Sequence, residues 1–416
     1  MNSNKVLCCC AILLVVPCVL MAGWLPLDLG TTYDLNSVWF LPDGQTGWVG
    51  GQGRIWKTTD GGATWDSLII SGAIEAVAFP VNAETGFAVA SGGRCYRSTN
   101  GGTSWQSETT GTREDMRGIC FPRGNRTGFI VGGDTSGLIL RTSDAGRHWV
   151  RQTVNDTLPI EKVAFPEDTL TGYAVGWSGK IHKTTNGGTT WQDQIPPYIT
   201  TLAGVTFPVS ADTGYAVGNV GTVLSTTDGG ADWVRQTTGV FDYLTSASFP
   251  TGPETGYVAG ASGRIMKTTD GGSNWLSESS GVSEFLGSVH FPANTQVGYA
   301  AGRNGVMLKT TNGGAWIADP GAEVAVGAHL SQAWAWPNPF TFRTLIRYES
   351  RTGRPVPVGI YNVSGTRVGQ LVLPGRAEEG VLWDGRDRLG RSLPGGIYLL
   401  KAASENSVLL RIVKTY

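Results

Sequence analysis

Past its first 22 residues the chain has only two cysteines, Cys95 and Cys120. Each stands at a position that neighbouring stretches fill with Ile, Val, Ala or Thr, so both read as buried apolar fillers rather than as a disulfide or a metal site. Histidine is as scarce: the four, at 148, 182, 290 and 329, fall at four unrelated places in the sequence pattern. Neither a metal cluster nor a nucleophile–base pair is suggested. Charged residues make up 16% of the chain, too few for a disordered or coiled-coil protein. No basic stripe with interleaved aromatics is present, which argues against nucleic-acid binding. Outside the N-terminus there is no long apolar run. Gly-x-Ser-x-Gly and phosphate-loop motifs are absent as well.

What the chain has instead is glycine, 60 residues of it, and 15 tryptophans. Its charge is divided unevenly. Residues 23–330 hold 19 Lys+Arg against 27 Asp+Glu, whereas residues 331–416 hold 12 against 6. Two modules of separate origin would give that split. The N-terminus, MNSNKVLCCCAILLVVPCVLMAGW, places one Lys before an apolar run from Val6 to Met21 that ends at Ala22-Gly23. This fits a secretory signal peptide over residues 1–22 better than a membrane anchor, because the run is short for a span of about 20 residues.

One phrase recurs through the middle of the chain. KTTDGGATW, ending at Trp65, returns with Asn100 and Trp105, Asp144 and Trp149, Asn186 and Trp191, Asp228 and Trp233, Asp270 and Trp275, and Asn312 and Trp316. The first member of that series is Asp60. The tryptophans are spaced 40, 44, 42, 42, 42 and 41 residues apart. Between them lies a short apolar run ending in Phe-Pro, followed by Thr-Gly-aromatic, as in TGYAVG at Thr171 and Thr213. A period of about 42 residues has room for four short strands, the unit of a propeller blade. Strand A runs into Phe-Pro and strand B is GYAVG. Strand C is the RIWKTT-like segment, and strand D starts at the Trp.

Strand A carries Val38, Val77, Ile119, Val163, Val205, Ala247 and Val289, each followed two residues later by Phe. Between them sit small residues: Ser37, Ala76, Gly118, Gly204, Ser246 and Ser288. A thin face of that kind suits a strand nearest the axis. The expectation is a seven-bladed β-propeller over residues 23–318. Trp24 stands 16 residues before Phe40, the spacing of Trp105–Phe121, Trp149–Phe165, Trp191–Phe207, Trp233–Phe249 and Trp275–Phe291. Trp24–Leu29 is therefore expected to supply the outer strand of the last blade and remove its open edge, with Trp316–Ala318 as the alternative.

The recurring phrase resembles the Asp-box, or bacterial neuraminidase repeat. Its combination with Phe-Pro and TGYAVG most resembles the photosystem II assembly and stability factor family, a single propeller. Asp-boxes also occur in sialidases and xyloglucan-type glycosidases, so the resemblance speaks for the fold more than for the activity. A short acceptor side chain at the head of a hairpin can bond backbone N–H groups that the turn leaves unpaired. Asn replaces Asp in three of the seven phrases, which a catalytic acid would not allow. Calcium would need six to eight oxygens, whereas each loop offers at most one carboxylate. The seven Asp/Asn residues and their tryptophans are read as turn builders, with no cofactor and no metal.

Catalysis finds little support. A sialidase needs an arginine cluster and a Tyr–Glu pair, but Arg54, Arg94 and Arg264 merely recur with the repeat. A binding function is expected instead, on the face formed by the D–A and B–C loops. Candidates are the residues there that break the repeat: Tyr33, Glu114, Asp115, Arg117, Asp134, Trp177, Tyr198, Asp242, Tyr243, Glu284, Phe285 and Arg303. Aromatics flanked by acids suit a protein or surface-polysaccharide partner.

After a linker at 319–333, residues 334–416 alternate strand patterns with Asn-x-Ser-Gly, Asp-Gly and Pro-Gly-Gly turns, as in a small Ig-like β-sandwich. Pro337-Asn338-Pro339-Phe340, Ile360 to Gly365, Trp383-Asp384-Gly385, Gly395 to Tyr398 and Arg411 to Lys414 resemble the type IX secretion sorting domain. They also resemble the Ig-like domain of the flagellar hook-capping protein. The sorting resemblance implies export machinery as a partner and a destination outside the cell or on the outer-membrane surface of a Gram-negative-type bacterium. Membrane contact is expected only through the leader. The first expectation is thus an exported, non-catalytic binding or scaffolding propeller. Alternatives are a periplasmic assembly factor for a membrane complex and a sialidase- or glucanase-like hydrolase.

Overall fold

The computed structural model describes residues 23–314 apart from 81 and 123–125. It also describes residues 330–415 apart from 337, 339, 341–342, 351–355, 363–366, 374–380, 388–390 and 403–407. The leader, Trp316, the alternative closing segment Trp316–Ala318 and most of the 319–333 linker lie outside the described residues. The chain forms two compact units that meet in sequence between residues 316 and 317.

In the first unit the repeat period becomes a repeat of sheets. One period, for example, gives the antiparallel strands Leu202–Thr206, Gly214–Gly218, Thr222–Thr226 and Val234–Arg235, paired in chain order. Among the described residues five such four-stranded sheets occur, and the first two periods share one six-stranded sheet through the long strand Asp66–Ala78. The last sheet takes its outer strand from the start of the chain: Leu25–Leu27 pairs with Met307–Thr310, Leu25 opposite Lys309.

The A strands lie side by side. The hydroxyl of Ser37 accepts from the backbone N–H of Val77 (3.1 Å), that of Ser246 from Val289 (3.2 Å), and that of Ser288 from Val38 (3.4 Å). The small residues are small for a reason. A Cβ on Gly118 would come 2.9 Å from the Glu161 carbonyl oxygen of the next A strand.

Aromatic stacking joins one sheet to the next. Each Phe of Phe-Pro lies flat on the Thr-Gly-aromatic ring of the preceding period, as in Tyr173–Phe207 (3.9 Å) and Phe129–Phe165 (3.9 Å). The first and last periods meet in the same way, through Tyr299 and Phe40 at 3.5 Å. The Asp-phrase Trp then meets the Phe edge-on, Trp233 at 6.2 Å from Phe207. Trp24, fully buried, fills that place for Phe291 at 5.7 Å and 89°. Tyr hydroxyls reach onward to the next turn: Tyr173 donates to Gly229 O and Tyr215 to Gly271 O.

The second unit has a three-stranded antiparallel sheet (Leu330–Trp336, Thr344–Ser350, Val381–Trp383). A four-stranded one (Val356–Asn362, Arg367–Leu373, Gly396–Ala402, Val408–Lys414) accompanies it. Phe340, Ile346, Val358, Ile360, Trp383, Tyr398, Leu400 and Ile412 form one apolar core for both.

Candidate functional site at the mouth of the strand-A ring

Every A strand begins with a β-bulge. Pairing with strand B slips between Leu35 and Ser37, Ile74 and Ala76, Met116 and Gly118, and Ile160 and Lys162. It slips again between Leu202 and Gly204, Leu244 and Ser246, and Leu286 and Ser288. The residue left over is Asn36, Glu75, Arg117, Glu161, Ala203, Thr245 or Gly287. A bulge re-aims the side chain it carries. All seven of these residues line one cavity of about 400 Å³, together with Asp34, Leu35, Lys162, Trp177, Tyr243, Phe285 and Arg303.

The cavity has a charged side and a small side. On the charged side Arg117 is 3.6 Å from the Glu161 carboxylate and its guanidinium lies 5.2 Å from the Trp177 ring centre. The Trp177 indole N–H donates to Glu161. Lys162 donates to the Arg117 carbonyl oxygen at 3.2 Å. Burial pushes the Lys162 ammonium below its ordinary range and raises the Glu75 carboxyl, a rise that Lys162 and Arg117 oppose. Glu75 makes no hydrogen bond or ion pair with any described residue. Ala203, Thr245 and Gly287 form the small side, and the Thr245 hydroxyl is already used by Ala259 O and Leu286 O. Tyr243 and Phe285 belong to this part of the ring, 6.2 Å apart, with Arg303 stacked 4.7 Å over Phe285. Burial holds the Tyr243 hydroxyl at about 12. Asp34 accepts the Asn304 N–H at 3.0 Å.

Of the twelve residues expected to bind, Arg117, Trp177, Tyr243, Phe285 and Arg303 thus converge. The other seven do not line this cavity. Glu114 pairs with Arg151 at 2.5 Å, and Asp242 with Arg264 at 2.9 Å. Asp115 accepts the Gly92 N–H, while its own N–H donates to Asp134. Tyr198 lies under the Arg235 guanidinium at 3.9 Å. Glu284 accepts the Ser283 N–H, and Tyr33 is exposed beside Thr31. Apart from Tyr33, their loops use them as braces.

Glu75, Glu161 and Lys162 lie in strand A, outside the loops from which the sequence pattern draws its binding candidates. Two signals pointed to them. The apolar residue at the head of each A strand stands three positions before the apolar residue that precedes the Phe (Leu202 to Val205, Ile160 to Val163), an odd step that an unbroken period-2 strand does not allow. Lys162 also occupies the position that is small in every other period.

Away from the mouth, the seven Asp/Asn residues sit in their turns. Thr58 Oγ1 donates to Asp60 at 2.7 Å and accepts the Gly62 N–H, and Asp60 accepts the Thr64 N–H at 2.9 Å. Asn186 repeats this with Thr184 and the Thr190 N–H, both at 3.0 Å. Trp65 and Trp149 donate to the glycine carbonyls of their own turns. Elsewhere the buried His182 lies between the buried Asp156 (2.8 Å) and the exposed Asp193 (2.9 Å), with Ser178 also on Asp156.

Comparison with known proteins places this architecture. The family model described as "Photosynthesis system II assembly factor YCF48" matches residues 66–206. The solved structure "YCF48 bound to D1 peptide" superposes with a TM-score of 0.59 at 20% identity, covering 70% of this chain and 96% of that one. "YCF48 from Cyanidioschyzon merolae" gives 0.58 at 18%, covering 70% and 98%. "Crystal structure of RRP9 WD40 repeats" gives 0.59 at 11%, covering 69% and 97%. The fold is a β-propeller. At these identities the structural likeness is one of fold, and within it the chain carries a stretch similar to the assembly-factor family. No curated protein matches the chain.

Proposed function

We propose that the first unit is a seven-bladed propeller acting as a non-catalytic binding module, which holds an extended protein segment at the mouth of the strand-A ring. The convergence of seven bulge residues with Trp177, Tyr243 and Phe285 carries this reading. Partly exposed aromatics beside a few oriented charges are what a peptide-capturing cavity offers, and Trp177 is 45% exposed. The family match over residues 66–206 and the peptide complex among the solved structures support an assembly-factor role more than a surface scaffold. The partner segment belongs to this chain's own setting and need not be the one in that complex.

Delivery is a separate part of the proposal. A leader at 1–22 and an Ig-like, sorting-type domain at 334–416 would carry the propeller to the periplasm or beyond, and the turn phrases of the tail support this. Deleting 334–416 should then leave protein in the periplasm; unchanged export would mean an accessory domain. For binding, a photo-crosslinking residue at Trp177 or Tyr243 of the full chain should trap a protein in envelope extract. Normal partner capture after combined alanine substitution of Trp177, Tyr243 and Phe285 would refute the site. Turnover of sialosides or β-glucans would refute the non-catalytic reading.

A further inference from the structure

Among the charged groups of the mouth, nearly all are engaged. Arg117 and Glu161 offset each other, and Glu161 also takes the Trp177 N–H. Asp34 holds the Asn304 N–H, Lys162 donates to a carbonyl oxygen, and Arg303 lies on Phe285. Glu75 alone makes no hydrogen bond or close ion pair with a described residue, although it is partly withdrawn from water and Lys162 and Arg117 attract it from a distance. An unpaired carboxylate in such a place costs stability unless something binds it.

The aromatic residues supply a second, independent observation. Two of the three lining rings already carry a guanidinium from this chain, Arg117 on Trp177 and Arg303 on Phe285. Tyr243, the third, has no cation over it among the described residues, and its neighbours on the ring, Ala203, Thr245 and Gly287, are small. The formal charges of the lining balance, Asp34, Glu75 and Glu161 against Arg117, Lys162 and Arg303.

We propose that the mouth receives one basic side chain, arginine or lysine, of the bound segment, with Glu75 as its counter-ion and Tyr243 as the ring it lies against. The inference rests on the peptide-capture reading above and specifies the residue recognised. Arginine is preferred, because its flat guanidinium can stack and donate at once.

The test uses the full chain and four labelled Gly-Ser hexapeptides carrying a central Arg, Lys, Glu or norleucine, followed by fluorescence anisotropy. The expected order is Arg, then Lys, well ahead of norleucine and Glu. Glu75→Gln should weaken the Arg peptide by about tenfold or more, as loss of a charge-assisted hydrogen bond does. Its Tm should hold or rise, because no structural ion pair is removed; a merely structural role would lower it. Tyr243→Leu should also weaken Arg binding, with Tyr243→Phe restoring it. Equal binding of all four peptides, or preference for Glu lost in Lys162→Met, overturns this inference while leaving peptide capture standing. No binding of any peptide, with partner capture indifferent to the aromatic substitutions, overturns both.

Discussion

At Asp60, one carboxylate oxygen takes a hydrogen bond from the Thr58 hydroxyl and another from the Thr64 backbone, and the second oxygen takes the Thr64 hydroxyl. These bonds, led by that of the Thr64 side chain, hold the Asp60 carboxyl at about 2. An amide oxygen can accept the first two equally well, as Asn186 does, so the turn needs an acceptor rather than a charge. Asp60→Asn should leave Tm near that of the parent at pH 7, whereas Asp60→Ala should lower it. Because the folded carboxyl titrates below its unfolded counterpart, Asp60's contribution is complete above about pH 4 and disappears as pH falls through about 2. Acid titration of Tm for the Asn variant, which lacks this step, checks the assignment. In the third phrase Ala145 stands where the other six have Gly, and its backbone is left-handed at φ 64°. That conformation strains an L side chain by roughly 1–2 kcal/mol, partly offset by the freedom glycine gains when unfolded. Ala145→Gly should stabilise by up to about 1 kcal/mol in chemical denaturation, and a loss would show that the strain is absent.

At the scale of the strand, the Thr-Gly-aromatic phrase explains itself by contact. Gly172 lies under the ring of Phe165, and a Cβ there would sit 2.4 Å from it. Its neighbours in the pattern, Gly128, Gly214, Gly256 and Gly298, meet Phe121, Phe207, Phe249 and Phe291 at 2.2–2.4 Å. The glycine is required for the closeness of a ring. Gly172→Ala should therefore destabilise by about 1–3 kcal/mol, the range for an overpacked core, and the paired variant Gly172→Ala with Phe165→Leu should recover part of the loss. The strands and their order were legible because period-2 patterning and turn residues repeat in every unit. The A strands' bulges were written as plainly, in the odd step from Leu202 to Val205, but a reading that looked for binding residues in loops passed over them. Side-chain company was not legible at all. Glu114 and Asp242 have the same character in sequence as Arg117 and Tyr243, and only the fold decides that the first pair faces Arg151 and Arg264 while the second pair faces the cavity.

For the whole ring, stability depends on the seam where the first and last periods meet. Leu25–Leu27 closes the last sheet, Trp24 is buried against Phe291, and Tyr299 stacks on Phe40. His290 belongs to the same seam: its ring packs on Trp39 at 5.0 Å, and its Nε2, 3.0 Å from the Phe40 carbonyl oxygen, donates to it. Burial holds this imidazole neutral, with its pKa drawn down to about 4, although the Phe40 bond opposes the shift. In the unfolded chain the same group takes up its proton near pH 6.5. Between those two values the unfolded state binds more protons than the folded one, so stability is complete above about pH 6.5, declines as pH falls towards 4, and is lost no further below it. The loss should be on the order of 3 kcal/mol, about 2.5 units of difference at about 1.4 kcal/mol each. His290→Gln retains a donor for the Phe40 carbonyl and has no proton to gain, so its Tm should fall less than the parent's between about pH 7 and about pH 4.5. The other histidines are present in both proteins and cancel in the comparison. An equal fall in both would place the acid sensitivity elsewhere than the seam. Removing residues 23–29 should lower Tm at neutral pH and shrink the His290 effect with it, because a ring that is already open exposes the imidazole to water before the rest of the propeller unfolds.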